Sequence, residues 1–249
     1  WIQGDFGHDR KNVGLLVKSF LETFKNKTKQ PALILKTSQS GPSYMDRDEI
    51  LKKINDVKKT VRGKLPKIYL VHGDLTDQEM NELYNHPKVK CMVSLTKGEG
   101  FGRPLLEFTQ TKKPIMTTGW SGHVDFLKPD MSILLPGTLN DVHKSAQNKW
   151  LIQGSKWFDV DTMALGKALK DIYKNYKTWS VKAKQQGNYC KEHFSFDKMK
   201  EKLGNILENN VVAVPKQVPL QLPKLKKLGE NKSTELPKLK LPKLKKIEV

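Results

Sequence analysis

Apolar residues recur along this chain in two rhythms, the helical spacing of three and four and the short unbroken run of a buried strand. In residues 13–26 (VGLLVKSFLETFKN), Val13, Leu16, Val17, Phe20, Leu21 and Phe24 keep the helical spacing and predict an amphipathic helix, with Asn12 or Asp9 as its cap. Residues 31–36 (PALILK) and 67–71 (KIYLV) read as buried strands, with a helix over about 47–61 between them. Thr76 starts the next helix, with Glu79 at the capping-box position and Met80, Leu83 and Tyr84 on its apolar face. Residues 89–95, 114–118 and 131–135 read as further strands. Residues 140–157 read as irregular, with Trp150, Trp157 and Phe158 as packing or contact aromatics, and helices follow over 160–176, 178–193 and 195–210, the last capped by Ser195. Residues 1–6 (WIQGDF) read as the end of a strand entering a loop. Strands alternating with helices predict an α/β fold, a Rossmann-like parallel sheet with helices on both faces.

The centre of the chain is one βαβ unit. Strand 89–95 leads into a loop with glycines at 98, 100 and 102, then a helix over 103–111 with Pro104 in its first turn, then strand 114–118. Glycine loops at the carboxyl ends of parallel strands bind phosphorylated ligands, because backbone N–H groups can approach closely. Glu99 in the loop and Glu107 on the helix stand eight residues apart and are expected to face one crevice. Carboxylates suit the hydroxyls of a sugar or ribose, whereas phosphate needs N–H groups and cations. Arg10 and Lys11 stand where a strand–loop passes into the first helix. A helix N-terminus disfavours cations unless an anion is also present, and a phosphate would supply one. The loop lacks the G-x-G-x-x-G spacing of a dinucleotide site.

The string EGFGRPLLE, residues 99–107, with its flanking strands resembles the Glu-x7-Glu motif of retaining glycosyltransferases with the GT-B fold. It is most similar to the large family 4 of nucleotide-sugar-dependent enzymes, and to their C-terminal, donor-binding domain. The resemblance covers about residues 1–210. It implies transfer of a sugar, of hexosyl type, from a nucleotide diphosphate with retention. Arg10, Lys11 and the backbone of Gly100, Phe101, Gly102 and Arg103 would hold the donor diphosphate, Glu99 the sugar and Glu107 the ribose. The loop around Asp74 and Leu75 would meet the nucleobase. Ser121 or Gly122 would offer N–H groups to phosphate, with Asp125 as the nearby acid. Asp5 stands where the family often has its arginine, so Arg10 is the substitute. No metal or other cofactor is implied. No catalytic base is assigned, because the acceptor side belongs to an N-terminal domain missing from this chain, which is then expected to bind donor without turnover. An epimerase or a phosphorylase of the same fold is a further possibility, although no cofactor-binding lysine motif of a phosphorylase is found.

The charge adds a competing picture. The 249 residues carry 45 Lys and Arg against 26 Asp and Glu, a formal net charge of +19, which attracts polyanions. From residue 211 the composition changes to a Pro/Leu/Lys-rich tail in which LPKLKK occurs twice, predicting a disordered or extended appendage rather than a helix. The tail reads as a strip for an anionic membrane surface or a protein partner. The alternative function is thus a non-catalytic basic module with a degenerate sugar-nucleotide site, docking on nucleic acid or an anionic membrane. Cys91 and Cys190 make no disulfide framework, and His72 and His86 have no partner at metal spacing. With no apolar run of membrane-spanning length and no leader pattern, the expected location is cytoplasmic, peripheral to a membrane. The opening at Trp1 within a strand reads as a piece of a longer protein.

Overall fold

The computed structural model describes residues 9–37, 42–147, 151 and 153–210. The expected strand over 1–6, Trp150 and the tail from 211 lie outside the described residues. In chain order the elements are α1 (Val13–Phe24), β1 (Leu33–Thr37), α2 (Tyr44–Lys59), β2 (Ile68–His72), α3 (Asp77–Asn85), β3 (Met92–Ser94), α4 (Arg103–Thr109) and β4 (Ile115–Thr118). Then come β5 (Ile133–Leu135), β6 (Gly137–Asp141), β7 (Lys156–Val160), α5 (Thr162–Lys174), α6 (Tyr176–His193) and α7 (Phe196–Asn210). β1 and β2 pair in parallel, and β3, β4 and β5 form a second parallel sheet in that order.

The helices cover both faces of this Rossmann-like arrangement, as expected. Successive strand residues point to opposite faces, and β4 shows the division. Met116 joins a core with α1, α2 and α5, through residues such as Leu21, Ile50 and Leu165. Its neighbour Ile115 joins a separate core with α4 and α6, through Leu105, Phe108 and Cys190, with Tyr84 of α3 packed against it. At seven residues α4 is too short to persist alone. Burial of Leu105 and Phe108, about 1.5–3 kcal/mol each, supplies what propensity does not.

Local signals explain most boundaries. Asp9, not Asn12, caps α1: its carboxylate accepts from the Val13 N–H at 3.1 Å, while Asn12 takes a left-handed φ of 54°. Ser43 accepts from the Asp46 N–H at 3.1 Å, so α2 begins before the expected residue 47.

Three expectations are corrected. β1 is not buried throughout but alternates, and Ile34, 42 % exposed, lies beside Tyr69, 51 % exposed, on an open face. Residues 140–157 are not simply irregular, because β6 and β7 form an antiparallel hairpin, Gly137 opposite Val160. The helix expected from 160 starts two residues later for the same reason: Val160 ends β7, and Asp161 caps α5 by accepting from the N–H groups of Met163 and Ala164.

Candidate functional site

The loops at the carboxyl ends of β3 and β4 and the segment entering α1 meet. Lys11 donates to Glu99 Oε1. Arg10 donates through Nη1 to the Gly98 carbonyl at 2.6 Å and lies 3.5 Å from Glu99 Oε2. The Lys97 N–H closes the junction by donating to the Arg10 carbonyl at 2.8 Å. The anion that the two cations require beside α1 is therefore present, and it is Glu99. Burial is the largest influence on this carboxyl and pushes its pKa up; Lys11, by hydrogen bond and charge, with Thr96 and Arg10, outweighs burial and holds it below the ordinary value.

Loop 119–122 fastens Glu99 from the other side. Ser121 Oγ accepts from the Glu99 N–H at 2.8 Å and donates to the Glu99 carbonyl at 2.5 Å. The Gly122 N–H also donates to that carbonyl, at 3.1 Å. This corrects the expectation that Gly122 offers its N–H to phosphate: the group is already used. Ser121 is held at φ 84°, a conformation that costs a non-glycine residue about 1–3 kcal/mol and persists only where the surroundings impose it.

The other predicted residues spread outward from this centre. Gly102 is buried at φ 85°, with His123 Cβ only 3.0 Å from where a Cβ of its own would lie, so glycine is required there for the turn. Gly100 is exposed and unobstructed. The Phe101 ring is 40 % exposed and packs on Phe126 with centroids 5.3 Å apart, anchoring the loop. Arg103 and Glu107 pair on the surface of α4, Nε to Oε1 2.9 Å. Such an exposed i,i+4 pair contributes about 0.3–0.5 kcal/mol, little enough for a ligand to displace. Leu75 stands half-buried between β2 and α3, at the end of the other sheet. Lys11, Glu99 and Gly102 also line a cleft of about 790 Å³ that runs along β1, β3 and the apolar side of α1.

Lys97 went unnoticed in the sequence. Only 8 % exposed, its ammonium pairs with Asp159 Oδ1 at 3.0 Å and lies 5.6 Å from the centre of the Trp157 ring. Its carbonyl accepts from the Phe158 N–H at 3.1 Å. The hairpin is thus tied to the glycine loop, through a partner 62 positions away that no local pattern announces. His123 is fully buried, with Nε2 2.6 Å from the Thr118 carbonyl and Nδ1 without a partner.

Among the described residues no three His, Cys, Asp or Glu side chains come together as metal ligands, and no helix is long and apolar enough to cross a membrane.

No family model and no curated protein matches this chain. Solved structures do. HepE of Anabaena, in complex with UDP and glucose, is 12 % identical with a TM-score of 0.55; the match covers 80 % of this chain and 45 % of HepE. Sucrose-phosphate synthase of Thermosynechococcus elongatus is 15 % identical, TM-score 0.55, over 80 % of this chain and 42 % of that one. A glycosyltransferase of Rickettsia africae is 15 % identical, TM-score 0.56, over 83 % and 46 %. The shared feature is the fold, a Rossmann-like half of a GT-B glycosyltransferase. This chain spans less than half the length of these neighbours.

Proposed function

We propose that residues 1–210 are the donor-binding, C-terminal domain of a family 4 retaining glycosyltransferase, with the tail from 211 as a separate appendage. The observation that carries this reading is the convergence of Lys11 and Arg10 on Glu99 beside the Gly98–Gly102 loop, at the carboxyl ends of parallel strands. Two cations and open backbone suit a diphosphate, and a carboxylate between them suits sugar hydroxyls. HepE, whose complexes hold UDP and UDP-glucose, supports the ligand class.

In this reading the diphosphate draws Lys11 and Arg10 from Glu99. The cations then stabilise the charge that develops on the leaving nucleotide, which asks for no metal. Glu99, released, accepts from sugar hydroxyls, while Glu107 exchanges Arg103 for the ribose diol. Leu75 borders the nucleobase. Retention and a hexosyl donor follow from the resemblance of residues 99–107, with their flanking strands, to the family 4 motif. The acceptor, and the groups that activate it, belong to a further domain, so this chain binds donor without transferring it. A cytoplasmic site, with the Lys-rich tail at an anionic membrane or a partner, completes the proposal.

Calorimetric titration with UDP-, GDP- and ADP-sugars at two salt concentrations tests it. Saturable binding of one nucleotide class, lost in Lys11→Ala and only mildly salt-sensitive, is expected. Binding of polyanions alone, with the steep salt dependence of counterion release, would replace this reading with the basic-module alternative.

A further inference from the structure

We infer that Trp120, backed by Phe158 of the β6–β7 hairpin, is the wall on which the sugar ring of the ligand lies. The inference rests on the donor-binding reading above.

Trp120 stands between two fixed neighbours. The Gly119 N–H donates to the Leu135 carbonyl at 2.8 Å, and Ser121 grips both the N–H and the carbonyl of Glu99. The side chain is therefore presented from a rigid backbone, one residue from the group that holds Glu99. Its indole lies within 6° of parallel to the Phe158 ring, centroids 6.2 Å apart. Phe158 is itself 7 % exposed, and its N–H is bound to Lys97 of the glycine loop. Trp120 nevertheless remains 43 % exposed. An exposed apolar side chain alone says little; here the loop that presents the ring also fixes Glu99. A pyranose has one apolar C–H face and a rim of hydroxyls. An aromatic plane carried on the loop that fixes a carboxylate-bearing residue suits both demands, as in sites lined by apolar surface with a few placed polar groups.

The test compares the full chain with Trp120→Ala and Trp120→Phe, checked for folding by circular dichroism, in titrations with UDP, UDP-glucose and UDP-N-acetylglucosamine. In Trp120→Ala the sugar nucleotides are expected to bind about three- to tenfold more weakly, the scale of one aromatic contact, with UDP unchanged and Trp120→Phe retaining most of the affinity. Equal weakening for UDP and its sugars, or none, overturns the inference while leaving the donor-binding reading intact. If wild type binds no nucleotide, that reading fails first. The indole N–H resonance missing from the Trp120→Ala spectrum then decides: a shift with free glucose or N-acetylglucosamine keeps the aromatic wall, and no shift removes it.

Discussion

Gly122→Ala is the sharpest perturbation of the candidate site. The backbone at Gly122 does not use a left-handed φ, so alanine is conformationally acceptable and only space decides. There is none. An added Cβ would lie 2.7 Å from the Gly100 carbonyl carbon and 3.1 Å from Phe101 Cα, and closer still to the Gly100 oxygen. All are backbone atoms that cannot swing aside, so loops 98–101 and 119–122 must separate. Overpacking of this kind costs about 1–3 kcal/mol. Separation also strains the hydrogen bond from the Gly122 N–H to the Glu99 carbonyl, about 1 kcal/mol. A loss of about 2–4 kcal/mol corresponds to roughly 4–16 °C in Tm for a domain of this size. Gly100→Ala is the control: nothing lies within 4 Å of its added Cβ, so the change should stay within about 0.5 kcal/mol. Urea titration followed by circular dichroism measures both, and nucleotide titration reports whether Glu99 has moved. A Gly122→Ala midpoint equal to wild type, with unchanged m, would refute the close approach of the two loops.

Lys11→Ala should weaken diphosphate ligands more than the nucleoside, and equal loss for both would remove its phosphate role. The same variant carries a pH signature. Because the folded Glu99 pKa lies below 4.5, its pairing stabilises the fold above that pH and the benefit disappears as pH falls through the folded value. The stability gap between wild type and Lys11→Ala should therefore be full at neutral pH and shrink below about 4.5; a constant gap down to pH 3 contradicts it. Glu107→Ala should reduce sugar-nucleotide affinity roughly tenfold or more, the scale of a charge-assisted hydrogen bond, with little change in Tm since its pair is exposed; unchanged affinity would sink the ribose role. Asp161→Ala should cost about 1 kcal/mol in urea titration by uncapping α5, and an unshifted midpoint would deny the cap.

The fold was legible where one residue pattern had one outcome. The run Val13 to Phe24 buries one apolar stripe and forms α1 from the expected start, ending two residues before the expected limit, and Thr76 with Glu79 gives the complete capping box of α3. The hairpin was illegible because Gly137–Asp141 (GTLND) has no apolar alternation; its residues after Gly137 are exposed and it is held by pairing with residues 156–160. β1 misled for a different reason. An apolar run predicts burial on both faces, but Ile34 and Tyr69 meet each other on an open one. At the site, Arg10, Lys11 and Glu99 were each conspicuous, and the structure brings those three together. Their latches were less legible: Ser121 was expected only as an N–H donor to phosphate and Lys97 was not picked out, because both act on backbone groups or partners far along the chain, which composition and spacing cannot register.

Those latches decide what the charges can do. Glu99 is fixed by its own main chain, gripped at N–H and carbonyl by Ser121 and Gly122, whereas Lys11 and Arg10 reach it from another segment with flexible side chains. In the proposed donor reading, an entering anion would draw the two cations while the Glu99 main chain stays in place. Two positive charges facing one negative leave an excess of one, in a place where burial already works against an ionised Glu99. In that reading, a diphosphate would add more than enough charge to hold both cations, and its arrival would free the Glu99 carboxylate. The acceptor for hydroxyls is then prepared before the ligand that needs it, and Lys11→Ala, which leaves the main-chain grip on Glu99 intact, separates the two roles.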